Sequence, residues 1–160
     1  MITGKMNMNI LAVGTDDGKN TYEIRRKWGE NGKKGLVIGL YPTIPVEHCE
    51  MLDVSTMHLI NHVKDFGWNE MRIVNLYARV ITKKPSVSEL KENSLAYIEE
   101  ILEEEDIKEY DIVVAWGNSL STHKGTINAK VDMLSILEEK GLDKNVKSIS
   151  VEGISMKSVG

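Results

Sequence analysis

The sequence predicts a single α/β domain over residues 1–160. It is expected to be a three-layer sandwich with a mostly parallel central sheet and antiparallel strands at its N-terminal edge. Three observations carry this. From residue 36 onward, strand-length apolar runs alternate with stretches of helical periodicity, the order that builds a parallel sheet with right-handed crossovers. Upstream, "TYEIRRKWG" (21–29) alternates with the two-residue period of a strand. The 160 residues carry no repeat, low-complexity tract or linker, and 41% of them are hydrophobic, enough for one core.

The first strand candidate is "MNILAV" (8–13), followed by the turn cluster "TDDGKN" (15–20). In 21–29, Tyr22, Ile24 and Arg26 fall on one face and Glu23 and Arg25 on the other, as in an antiparallel edge strand. After the turn "ENGKKG" (30–35), "LVIGLY" (36–41) is apolar throughout, the pattern of a strand buried on both faces. Pro42 stops it. Asp53 and Ser55 offer N-caps for a helix over about 54–66, with Met57, Ile60 and Val63 near helical spacing and Gly67 as its stop. "MRIVNLYA" (71–78) is the next strand. Ser88, with Glu89 behind it, opens a helical region whose Leu95, Ile98, Ile101 and Leu102 share a face. "DIVVAW" (111–116) is the third buried strand. The helix "NAKVDMLSILEEKG" (128–141) should turn Val131, Leu134 and Leu137 inward, and "VKSISVEG" (146–153) closes the sheet.

Charge narrows the function classes. The net charge is −4, but residues 1–98 hold 13 Lys and Arg against 11 Asp and Glu, while residues 99–160 hold 7 against 13. A protein that grips long nucleic acid needs a broad basic surface, which this chain lacks; a nucleotide with a few phosphates needs only a few cations and backbone N–H groups. No apolar run reaches membrane-span length. The N-terminus has no signal-peptide pattern, and the lone Cys49 suits a reducing compartment, so a cytoplasmic location is expected. His58 and His62 stand four apart with no third ligand, and they read as surface histidines; no metal or other cofactor is expected. "EEILEEED" (99–106) reads as a solvated helix face.

In open α/β sheets, ligands bind beyond the carboxyl ends of the strands. The first parallel strand ends at Tyr41, Pro42 and Thr43, and the second at Asn75, Tyr77 and Arg79. The third ends at Trp116, Gly117 and Asn118, with His123 and Lys124 close behind. Aromatic faces, amides and a few cations on one rim suit a flat heterocycle bearing phosphate. Arg79, Lys83, Lys84 and Lys124 are the expected phosphate partners. Plain packing is the competing reading for Tyr41, Tyr77 and Trp116. A structural amide is the competing reading for Asn75, although a buried amide requires partners.

"YEIRRKW", "LVIGLYPT", "RIVNLYARVIT" and "DIVVAWGNS" occur in that order over about residues 20–153. This layout resembles the domain of unknown function family 1643, small bacterial and phage proteins. It is more distantly similar to the uracil-DNA glycosylase fold. The second resemblance implies a base-binding rim and, in a glycosylase, a water-positioning group after the first strand and a C-terminal histidine. Here Tyr41 stands where the family pattern has asparagine, and "ISMKSVG" offers no histidine. Glu47, His48 or Asp53 would have to orient water, with His123 assisting.

The expected function is therefore a non-catalytic protein binding a small nucleotide through Tyr41, Pro42, Thr43, Asn75, Tyr77, Arg79, Trp116, Gly117, Asn118, His123 and Lys124. No catalytic residue is assigned. The resemblance suggests a phage protein that sequesters a signalling, for instance cyclic, nucleotide in the host cytoplasm. A nucleotide or nucleic-acid hydrolase of glycosylase type and a structural or interaction domain are the alternatives. A homo-oligomer, with the positive half of one subunit facing the negative half of another, is the assembly that this charge split would suit.

Overall fold

A computed structural model of the chain describes residues 1–86, 88, 90, 93–149 and 156–158. Among the described residues, seven strands form one sheet: β1 (Asn9–Gly14), β2 (Thr21–Lys27), β3 (Lys33–Gly39), β4 (Trp68–Asn75), β5 (Tyr110–Val114), β6 (Val146–Ile149) and β7 (Met156–Ser158). Their spatial order is β1-β2-β4-β3-β5-β6-β7. β3 pairs in parallel with β4 and β5, and β5 with β6; β1–β2, β2–β4 and β6–β7 are antiparallel. The fold is thus mixed α/β with an antiparallel N-terminal edge, as expected. β7 is a strand the sequence pattern did not reveal, and Ser150, Val151, Glu152 and Gly153 of the expected last strand lie outside the described residues.

Among the described residues, four α-helices lie between strands: α1 (Val54–Asn61), α2 (Val63–Phe66), α3 (Leu95–Leu102) and α4 (Lys124–Glu139). The strands' alternation sorts their side chains onto the two faces of the sheet. Leu36, Ile38, Val74 and Ile112 pack with Ile98, Ile101 and Leu102 of α3 and with Ala129, Met133 and Leu137 of α4. Val37, Met71 and Val113 pack with Phe66 of α2 and the half-buried Leu59 and Ile60 of α1.

Several elements depart from the sequence expectation for physical reasons. The helix expected over 54–66 breaks at His62 into α1 and α2, which carries Phe66 onto the sheet; Gly67 ends it in the left-handed conformation at φ 73°. Met57 is exposed. The helix expected from Ser88 begins at Leu95, and Glu89 lies outside the described residues. α4 starts four residues before the expected 128, and its phase differs: Val131 is 54% and Leu134 48% exposed, while Thr126, Ala129, Met133 and Leu137 are buried. Thr126 sets that phase, because its hydroxyl is bonded to the Tyr77 hydroxyl at 2.8 Å and to His123 Nδ1 at 2.8 Å.

β2 also departs from strict alternation. A bulge opposite Val13 and Gly14 places two residues of β2 against one step of β1. Tyr22 consequently sides with Glu23. Both meet Tyr97 of α3, by ring stacking at 5.1 Å and by a 2.8 Å bond from its hydroxyl to the Glu23 carboxylate. Thr21, Ile24 and Arg26 are left to line a cavity with the loop after β3.

Beneath Tyr97 lies a buried ionic cluster. The Arg72 guanidinium donates to Glu23 at 2.5 and 3.2 Å, to Glu104 at 2.6 Å and to the Tyr110 hydroxyl at 3.2 Å. Burial pushes the Glu23 carboxyl up, but the bonds and charge of Arg72, with the Tyr97 hydroxyl, more than offset this and hold it below its ordinary value.

Candidate functional site

The parallel strands lie in the order β4-β3-β5-β6. The chain leaves β3 toward β4 on one side and then crosses to β5 on the other. Connections diverging in this way open a crevice at the carboxyl ends of the strands, here β3 and β5. A cavity of about 530 Å³ lies there, within the range of small-molecule sites.

Each wall has a local cause. β3 ends at Gly39, and the loop after it carries Tyr41, Pro42 and Thr43 into the lining. This loop is tied down at two adjacent residues: Ile81 N donates to Pro42 O at 2.9 Å, and the Thr43 hydroxyl donates to Asp53 Oδ2 at 2.6 Å. Asp53 is the N-cap of α1, as its position before Val54 predicts, and its Oδ1 accepts from Thr56 N at 2.7 Å. One carboxylate therefore joins the post-β3 loop to the helix that covers the cavity. Burial pushes its pKa up, but the bonds from Thr43 and Thr56 and the charge of Arg26 hold it below the ordinary carboxylate value. Replacing Asp53 with alanine should cost about 1 kcal/mol in urea unfolding, whereas asparagine, an equally good N-cap, should cost only a few tenths.

β4 contributes Ile73 and Asn75. Asn75 pairs in register with Gly39, and a Cβ at Gly39 would stand 2.4 Å from Asn75 Oδ1, so glycine there makes room for the amide. Asn75 is 8% exposed, yet its carboxamide has no hydrogen bond to any described residue. β5 delivers Ala115, Trp116 and Ser119 after its end, with Ala115 N bonded to Ile38 O at 2.8 Å. Gly117, at φ 65°, adopts a left-handed turn just past the tryptophan. Tyr41 and Trp116 are half-buried. They line the cavity and also rest on the α3–α4 side of the core, so packing and lining coexist in both rings.

Arg26 was not among the expected site residues. It is fully buried, and Nη2 donates to Cys49 O at 3.2 Å and Met51 O at 3.1 Å, pinning the turn before α1. Burial lowers its pKa, partly offset by the charge of Asp53 and by Cys49; guanidinium remains protonated in proteins regardless. The available signal was its placement on the same strand face as the apolar Ile24.

Tyr41, Pro42, Thr43, Asn75 and Trp116 thus meet around one cavity. The other expected site residues stand outside its lining. Tyr77 is buried under α4, bonded to Thr126. Arg79 is exposed, in a bridge with Asn20. Gly117 accepts from Lys130 Nζ at 3.1 Å, and Asn118 is exposed. His123 bonds Thr126, and Lys124 is exposed at the start of α4. Of the three candidates for orienting water, Asp53 lines the cavity and Glu47 and His48 do not. Among the described residues, no group of three or more His, Cys, Asp and Glu is placed to hold a metal ion. No described helix is long and apolar enough to cross a membrane.

The family model described as "Protein of unknown function (DUF1643)" matches residues 21–153. The chain belongs to this family. The matched span begins with β2 and includes every wall of the cavity, so the site is built from family-matched sequence. Comparison with curated proteins and with solved structures gives no significant match.

Proposed function

We propose that this family member binds a nucleotide, or a small ligand of closely similar chemistry, in the cavity at the carboxyl ends of β3, β4 and β5 and releases it unchanged. One observation carries the reading. Tyr41, Asn75 and Trp116 come from three separate segments and border a single cavity, where the Asn75 carboxamide lacks a protein partner among the described residues and is not sealed off. The amide atoms can therefore meet the edge of a heterocycle while its faces meet the rings. A three-layer, uracil-DNA glycosylase-like arrangement is the fold reading that suits this site. Sequestration of a signalling nucleotide in a cytoplasm, a phage host's included, is the biological role that suits stoichiometric binding.

Native mass spectrometry against mono-, di- and cyclic nucleotides tests this. The expected result is a stoichiometric adduct that dissociates as unaltered ligand, with Trp116→Ala weakening it about 5- to 100-fold, the worth of one stacked ring. The same spectra report whether the protein is a homo-oligomer. Absence of any adduct, together with no thermal shift, would leave the rim as core packing. A second reading, glycosylase-type hydrolysis, is favoured by the ionised Asp53 carboxylate in the lining, a group able to orient water. Chromatographic detection of product accumulating beyond one equivalent would decide for it.

A further inference from the structure

Arg26 poses a question that packing does not answer. Its guanidinium carries five N–H donors, and the two carbonyls it meets are served by Nη2 alone. Nε and Nη1 expose less than 1 Å² each, to the cavity as to bulk water, and have no hydrogen-bond partner among the described residues, so an anion meets them once a side chain over them moves. A buried guanidinium usually stands against a carboxylate, as Arg72 does in this same sheet. Asp53, the carboxylate whose charge Arg26 feels, forms no ion pair with it; the oxygens of Asp53 are taken by Thr43 and Thr56. Arg26 is also the one arginine or lysine among the described residues lining the cavity. An isolated charge with idle donors is expensive unless something else completes it.

We propose that Arg26 is an internal oxyanion receptor, and that the ligand of this cavity places a phosphate oxygen against Nε–H or Nη1–H. The inference rests on the nucleotide reading above and deepens it by assigning the two ends of the ligand. The heterocycle lies toward Tyr41, Asn75 and Trp116, and the anionic group lies toward β2. The exposed Arg79 and Lys124, which the sequence offered for phosphate, then play no part. The carbonyls of Cys49 and Met51 hold the guanidinium in place through Nη2, so it is oriented before the ligand arrives and little is lost in ordering it.

The test uses the intact protein labelled with nitrogen-15, so that the Arg26 Nε–H resonance reports directly. It is titrated separately with a nucleoside monophosphate, the matching nucleoside and inorganic phosphate. The proposal expects the monophosphate to shift the Arg26 Nε–H or Nη–H signals and to bind about 10- to 100-fold more tightly than the nucleoside, the range for one charge-assisted bond. Arg26→Gln should erase that preference, read as the ratio of monophosphate to nucleoside affinity in the same variant; if the variant does not fold, the wild-type titration still decides. Equal binding of nucleoside and monophosphate with an unmoved Arg26 signal would overturn the receptor and leave the heterocycle site standing. Inorganic phosphate shifting Arg26 while no nucleoside binds would support the receptor and overturn the nucleotide reading. An Arg26 signal insensitive to all three ligands would assign its free donors to buried water and end the proposal.

Discussion

Replacing Arg72 with methionine should destabilise the protein by about 3–5 kcal/mol, a large share of the ~5–15 kcal/mol available to an ordinary domain. The cause is the charge left behind. Glu23 is 3% exposed on β2, and Arg72 supplies two of its hydrogen bonds and a stronger charge effect on it than Arg25 does. Without Arg72, Glu23 must remain ionised in a dry site or take up a proton, and each course costs stability. Urea unfolding monitored by tryptophan fluorescence reads the loss as a lower midpoint at unchanged slope. The paired replacement Glu23→Leu with Arg72→Met should recover most of it, because removing both charges of a buried pair is commonly close to neutral. A double variant as unstable as the single one would show that the cost lies in lost packing rather than in the stranded carboxylate.

The same cluster fixes the direction of acid sensitivity. The folded-state pKa of Glu23 lies below its ordinary value of 4.5, so its contribution is fully present above that value. It is lost as pH falls from about 4.5 through the depressed folded-state pKa. Asp53 acts in the same direction from its ordinary value of 3.8. Stability at pH 3 should therefore fall below that at pH 6, and Glu23→Leu/Arg72→Met should flatten the profile between them.

What the sequence made legible follows from how much of the fold each signal already contains. β3 and β5 were readable because a strand covered on both faces must be apolar at every position, and runs this short, bounded by turn residues, suit a strand better than a helix. The rim residues at their ends followed from topology, since the ends of parallel strands share one edge. Tyr22 lies on the face opposite to the one its spacing predicts, because a β-bulge leaves no mark in the alternation that it disrupts. In α4, Ile127, Val131 and Leu134 form as good a helical stripe as Ala129, Met133 and Leu137. A long-range bond from Tyr77 to Thr126 chooses between them, and no local pattern reports it. Arg26 was visible as a charge on an apolar face. Its meaning was not, because that depends on the loop from Tyr41 to Met51 folding over β2. Tyr77, an aromatic at the rim by sequence position, is core because it lies two residues past the strand, on the α4 side.

The corresponding prediction at the site concerns Gly39. Substituting alanine places a Cβ 2.4 Å from Asn75 Oδ1, closer than real Cβ contacts come, so one of the two must move. β3 is held by parallel pairing on both sides, so the shorter path is rotation of the Asn75 carboxamide away from the strand. The fold should survive, with a loss of about 1–3 kcal/mol from overpacking. Ligand affinity should fall about 10- to 100-fold, the worth of a well-placed amide pair to a base edge. A double-mutant cycle separates this mechanism from general damage to β3. Once Asn75 is alanine, the obstruction is gone, and Gly39→Ala should then cost little further affinity and no more than a few tenths of a kcal/mol in stability. Additive losses in the double variant would mean that Gly39 supports the cavity by some route other than Asn75, and that the amide is not held where a ligand would need it.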